Sequence, residues 1–152
     1  MNVHVSNKMN KNNRSRRPLS YLQADVKADQ SIQGNIKLNG VTSGGNKIKY
    51  NGNFITLQPG LYSFNFSGSA ESSDYSNFLL NFKLICDSCG GNISPFYDSN
   101  FNSVNGVCSA VFNTLIQEIR SKTTLLINVM PLDTTAGVNF MSGRVVITEL
   151  NQ

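Results

Sequence analysis

Three observations predict an all-β chain built as a sandwich or jelly roll of antiparallel strands. The run Leu61-Tyr62-Ser63-Phe64-Asn65-Phe66-Ser67 alternates without a break, aromatics on one face and small polar residues on the other. Such a period of two marks a strand with one dry side. Eight or more strand-length runs follow one another, separated by Gly- and Asn-rich turns. Helical periodicity, heptads and internal repeats are nearly absent, which leaves strands as the building material.

Taken in order, Tyr21 to Ile32 is a weak first strand region, and Asn35 to Leu38 a short run stopped at Asn39-Gly40. Ser43-Gly44-Gly45-Asn46 reads as a turn before Lys47–Tyr50, and Asn51-Gly52 as a two-residue hairpin. Phe54–Leu57 leads into Gln58-Pro59-Gly60, where Pro fixes φ and Gly allows the reversal, and then into Leu61–Gly68. Phe78, Leu80, Phe82 and Leu84 alternate with Asn81 and Lys83, and residues 87–105 read as a polar loop.

Val107–Ile119 carries bulk on both faces, Val111 and Leu115 on one, Ala110, Phe112 and Ile116 on the other. Its β-branched and aromatic residues favour a strand over the helix that Leu-Ile-Gln-Glu-Ile-Arg alone would permit. Thr123–Met130 presents Leu125, Ile127 and Val129 before Pro131, and a closing strand over 141–150 is centred on Val145, Val146 and Ile147. If one face of Val107–Ile119 lines the core, the other needs a cover. A second subunit is the natural one for a domain of this size.

A chain of 152 residues makes one domain and can bury roughly 70% of its unfolded surface. Charged residues are only 14%, Trp is absent, and Asn occurs 21 times. A surface made polar by Asn, Ser and Thr suits packing against neighbours, because few charges need desolvating; an AT-rich genome yields the same composition. The net charge of +4 is unevenly placed. Residues 1–20 hold Lys8, Lys11, Arg14, Arg16 and Arg17 with no acid, whereas residues 21–152 hold eight basic and nine acidic residues. The chain therefore divides into a basic arm, 1–19, and a near-neutral domain, 20–152. A body without clustered cations does not lead to a nucleic-acid surface as the first reading, because phosphate binding needs clustered cations there.

The arm has three readings: a solvated tail, a connector, or a neutraliser of packaged nucleic acid inside a shell. As a connector, Val3 and Val5 add a strand to a neighbour's sheet edge while Arg14, Arg16 and Arg17 pair with carboxylates. No apolar run approaches the ~18 residues that span a bilayer, so no membrane partner is expected. The arm's charges precede no apolar segment, so no secretory signal peptide is expected either.

Machinery for chemistry is sparse. The single His, His4, sits on the arm, where a Ser-His-Asp or Cys-His arrangement has no fixed geometry. The nine acids form no spaced pair, and Gly90-Gly91 leads into no helix that would cradle a phosphate. The expectation is a non-enzyme without cofactor. Cys86-Asp87-Ser88-Cys89 and Cys108 supply three thiolates, one ligand short of a tetrahedral metal set, and the CxxC lacks the βαβ setting of a redox motif. A disulfide at a strand end remains, as do reduced thiols packed as small hydrophobes, and an odd thiol free for a bridge between subunits. Loop acids Asp74, Asp87 and Asp98 show no Asp-x-Asp calcium spacing.

One arrangement has a family likeness. Tyr50-Asn51-Gly52-Asn53-Phe54 followed by Leu57-x-Pro59-Gly60-Leu61-Tyr62-x-Phe64 resembles the central signature of the tumour necrosis factor/complement globular-head superfamily. The likeness continues through Cys108 to Leu115, Thr124 to Val129, and Phe140-Met141-Ser142-Gly143-Arg144-Val145-Val146-Ile147, covering roughly residues 20–150. Within that superfamily the chain most resembles the C-terminal domains of bacterial spore-surface (exosporium) and endospore appendage proteins. Two departures stand out: no Gly-X-Y stalk precedes the domain, and Ser20-Tyr21-Leu22-Gln23-Ala24 replaces the usual first-strand Ala-Phe pattern.

The resemblance implies a ten-strand jelly roll and a tight homotrimer whose axis is lined by Phe112, Ile116, Phe54 and Tyr21. It implies a structural subunit on the extracellular surface of a spore, polymerising through the arm, with itself and spore-surface proteins as partners. The alternative is a virion protein, either a small capsid subunit or a phage fibre head, for which nucleic acid would be a partner. A ligand-binding head would have only the loop 87–105 to offer as a site.

Overall fold

Tyr62, Phe64 and Phe66 are each at most 2% exposed, while Asn65 is half-buried and Ser67, next after Phe66, faces solvent. The computed structural model describes residues 18–27, 31–52, 54–86 and 95–151, and leaves out the side chains of 95, 96 and 110–114. Those residues form eleven strands: β1 Tyr21–Val26, β2 Gly34–Asn35, β3 Leu38–Gly44, β4 Ile48–Tyr50, β5 Ile55–Leu57, β6 Gly60–Ser72, β7 Leu79–Cys86, β8 Pro95–Asn102, β9 Val107–Ile119, β10 Thr123–Leu132 and β11 Val138–Leu150. One sheet has the order β3-β1-β11-β6-β9, and the other β4-β5-β10-β7-β8, with β2 paired on β10. All pairings between named strands are antiparallel. The all-β jelly-roll sandwich expected from the sequence is the fold observed.

The core lies between the sheets. Phe66 of β6 meets Phe82 of β7 across the gap with ring centroids 4.5 Å apart, and Tyr97 of β8 packs edge-on to Phe82 at 6.2 Å. Each fully buried ring of this kind stabilises the sandwich by roughly 1.5–3 kcal/mol. Tyr62 is wholly buried, and its hydroxyl donates to the carbonyl of Gln58 at 2.7 Å. That bond ties the Gln58-Pro59-Gly60 corner, which carries the chain from β5 in one sheet to β6 in the other. The two runs it joins are therefore partners across the sandwich rather than a hairpin.

Several sequence expectations change in detail. The polar loop expected over 87–105 contains β8, an edge strand paired only with β7. Its Asp98 and Asn100 lie opposite Lys83 and Asn81 on the outer face, so polarity there marks a wet side rather than a loop. Asn39-Gly40 does not stop a strand. It lies in β3, where the register shifts against β1 between Gln23 and Asp25, an inserted residue that bends the edge. Asn51-Gly52 belongs to a four-residue connection, since Tyr50 pairs with Ile55. Asn51 closes that connection with its side chain, its Oδ1 accepting from Phe54 N–H at 2.8 Å. Strand β6 continues past Gly68 to Ser72.

At the end of the sandwich where β1 begins and β11 finishes, here called the root end, a polar clasp holds the chain. Glu149 is 3% exposed and binds Lys47 Nζ at 2.7 Å. Its other oxygen accepts from Ser20 N–H at 2.9 Å, and Glu149 N–H donates to the Ser20 carbonyl at 2.8 Å. Ser20 Oγ accepts in turn from Asn46 and Lys47 N–H at 3.2 and 3.0 Å. Gly45 sits so close that an added Cβ would stand 2.3 Å from Ser20 Oγ. The opposite, far end carries the β6–β7, β8–β9 and β10–β11 connections.

Because Lys47 is a quarter exposed, Glu149→Ala is expected to lower stability by about 2–3 kcal/mol in urea unfolding, the lower side of a broken buried pair. The double change Lys47→Met/Glu149→Leu should recover most of that loss.

Candidate assembly surface

The candidate assembly surface is the outer face of the five-stranded sheet. Backbone register aligns Tyr21 with Thr148, Thr148 with Ser63, and Ser63 with Ile116, giving one row across β1, β11, β6 and β9. Its two ends are large and bare, Tyr21 43% exposed and Ile116 54%. Its middle is small, with Ser63 already 8% exposed in the single chain. Towards the root end the neighbouring row holds Leu150, Leu61 and the charged Glu118, and the next row the other way holds Val146 and Asn65. Small central residues let another backbone come close, and the flanking Tyr and Ile supply apolar area. The structure thus brings two of the four sequence-predicted axis residues, Tyr21 and Ile116, into one line.

Phe112 does not share that line. Across β6 and β9 the register shifts between Phe64 and Phe66: Phe64 pairs with Leu115, and Phe66 with Phe112. Three steps on β9 oppose two on β6, so alternation read straight through the strand fails at the bulge. Phe112 is the backbone partner of inward-facing Phe66, whereas Ile116 is the partner of outward Ser63. The side chain of Phe112 is among those left undescribed. Phe54 lies on the β4–β5 connection, which joins two strands of the other sheet. Val3, Val5, Arg14, Arg16 and Arg17 lie outside the described residues.

Towards the far end the same face becomes polar and open. Asp25 and Arg144 pair at 3.2 Å, both more than half exposed, so this pair contributes little by itself. Ser67, Gly68, Ser69, Ser109 and Ser142 floor a shallow cleft of about 550 Å³ with exposed Met141 at its rim. The outer face of the second sheet is different again. Asn128 donates to Asn35, Asn81 donates to Asp98 and Asn100, and Lys83 lies 3.6 Å from Asp98. Polar groups satisfied within their own sheet suit contact with water.

Among the described residues no three His, Cys, Asp or Glu side chains gather to hold a metal ion. Cys86 is disulfide-bonded, Cys108 is free and buried, and Cys89 lies outside the described residues. Cys108 packs as a small buried group against the core. Burial pushes the Cys108 thiol up from its ordinary value, and its Sγ faces the Phe101 carbonyl at 3.6 Å. Asp74 at the far end goes the other way. Hydrogen bonds from Ser76, side chain first and then backbone, hold its carboxyl below its ordinary 3.8.

Sequence reading missed Ser63 and Thr148 as members of the row. The alternating Ser63, Asn65 and Ser67 had marked this face as outward; what the sequence lacked was the register joining them to Tyr21 and Ile116.

No family model matches the chain, and no curated protein matches it in sequence. Solved structures do. The globular domain of zebrafish complement 1qA superposes with a TM-score of 0.54 at 14% identity, over 87% of this chain and 97% of that one. The crystal structure of murine APRIL at pH 8.5 superposes at 0.60 with 9% identity, over 88% and 100% of the two chains. The same protein at pH 5.0 gives 0.57. At these identities the shared property is the fold, a jelly roll of the complement-head and tumour-necrosis-factor type.

Alkylation of Cys108 is expected to be on the order of a hundredfold or more slower in the native protein than in denaturant, read by mass spectrometry of the labelled peptide. Equal rates would place that thiol at the surface.

Proposed function

We propose that this chain is a structural, self-assembling subunit: a homotrimer formed through the outer face of the five-stranded sheet, linked to other trimers by the N-terminal arm. The observation that carries the proposal is the row Tyr21–Thr148–Ser63–Ile116, small in the middle and apolar at both ends. The trimer is also what the family resemblance implies. The resemblance, and it alone, points to a fibre or layer on a bacterial endospore surface. The sparse charge of the body supports packing against like copies. The role is not enzymatic on this reading.

A second reading, a virion structural protein, draws on one feature, the +5 arm before a body of net −1. Shells that form only with nucleic acid, weakening log-linearly with salt, would favour it over a fibre.

Two measurements test the first reading. Ile116→Glu should convert trimers to folded monomers in sedimentation, with a melting temperature close to the parent's, because that side chain is half bare in one copy. Removing residues 1–17 should leave discrete trimers where the full chain gives polymers in electron micrographs. A full-length chain that sediments as a stable monomer at micromolar concentration would overturn the trimer, and normal polymers after truncation would overturn the connector.

A further inference from the structure

At the far end, three connections meet around a notch. Asp74, Ser76, Asn77, Asp133, Thr134 and Thr135 line a cleft of about 560 Å³. Beside it stand three exposed apolar side chains, Tyr75 at 68%, Val104 at 69% and Val107 at 38%. This rim is held by its backbone. A Cβ on Gly106 would stand 2.4 Å from Tyr75 Cα, so only glycine allows the two connections to touch there. Gly106 also accepts from Ser72 N–H at 2.9 Å and donates to Asn77 Oδ1 at 3.2 Å. Tyr75 is fixed at φ 59, an uncommon conformation for a tyrosine, with its ring left in solvent. Asp74 is oriented by Ser76 N–H at 2.9 Å. Among the described residues, the ion pairs are Lys47–Glu149, Lys83–Asp98, Arg120–Glu118 and Arg144–Asp25, none of which uses Asp74 or Asp133.

Asp74 and Asp133 both line the cleft, and exposed Tyr75 follows Asp74 in the chain; carboxylates and an aromatic ring are the chemistry that recognises a guanidinium, by paired hydrogen bonds and by stacking. The chain's own arm supplies three: Arg14, Arg16 and Arg17. Reach decides whose arm it is. From Leu19, beside the root-end clasp, back to Arg14 is five residues, at most about 18 Å of extended chain. The thirteen residues of β6 separate root end from far end by roughly 40 Å. An arm cannot bring these arginines to its own notch, even with the side-chain length added. The notch of a second copy, stacked far end against root end, lies within reach.

We infer that the notch at Asp74, Tyr75 and Asp133 is the acceptor for the Arg14–Arg17 stretch of the next copy, giving a head-to-tail stack. This rests on the connector reading above and adds to it the receiving site. The exposed Val104 and Val107 offer apolar contact to the rest of the incoming segment.

Charge reversal in the full chain tests the inference. One variant carries Arg14→Glu, Arg16→Glu and Arg17→Glu; the other carries Asp74→Lys and Asp133→Lys. Each alone should still form trimers yet raise the critical concentration for polymer by about tenfold or more, with sedimentation and electron microscopy as readouts. Mixed in equal amounts they should polymerise again, since each arm then meets a complementary notch. Tyr75→Asn, which keeps the backbone conformation but removes the ring, should weaken the polymer without touching the charges. If the parent chain polymerises and the arm variant does not, but the notch variant matches the parent, the acceptor assignment falls and the connector stands. Failure of the mixture to restore polymer also overturns it. A parent that never polymerises overturns both.

Discussion

Everything in this molecule turns on the double duty of β6. Its odd and even positions serve different masters: Tyr62, Phe64 and Phe66 close the core, while Leu61, Ser63, Asn65 and Ser67 build the opposite face. Because the strand is paired on both sides, by β11 and by β9, its alternation sets the register of the whole five-stranded sheet. A slip of one residue would exchange aromatics for serines across the sandwich, so the hydrophobic effect pins the outer row as firmly as it pins the core. The candidate assembly surface is thus a by-product of core packing. No separate energy holds Ser63, Thr148, Tyr21 and Ile116 in line.

The two sheets differ in what their outer faces do with polarity. On the six-stranded sheet, Asn35, Asn81, Asn100, Asn128 and Asp98 satisfy one another across strands. Such a face gains little from a partner, since covering it would strip water from bonds already made. The five-stranded sheet near its root end shows hydroxyls, aliphatic groups and one phenol in the row Tyr21–Thr148–Ser63–Ile116, and the charged Glu118 in the row beyond it, beside Leu61 and Leu150. This asymmetry gives the domain two unlike outer faces. Solubility before assembly and association afterwards are both compatible with such a face.

Legibility in the sequence followed the strength of the alternation. β6, β7 and β10 were readable because one face is continuously apolar, Leu80, Phe82 and Leu84 being an example. β8 was hidden because an edge strand has one paired side and a wet outer face, so Asp98, Asn100 and Asn102 resembled a loop. The bulges at β3 and β9 were hidden because an inserted residue leaves no compositional trace, and it was the β9 bulge that separated Phe112 from Ile116. The clasp at the root end was equally unreadable: Ser20, Lys47 and Glu149 are more than a hundred residues apart at their widest, and only topology brings them together. Tyr21 and Ile116 came from the family likeness, and the register supplied the residues between them.

The clasp has a mechanical consequence. The arm leaves the domain directly at Ser20, whose backbone is held in both directions by Glu149, and β1 continues from it between β11 and β3. A tug on the arm along the sandwich axis is therefore borne by both ladders flanking β1 at once, in shear, rather than peeling one bond after another. On the connector reading, a force on the arm would load the strongest pairing β1 has.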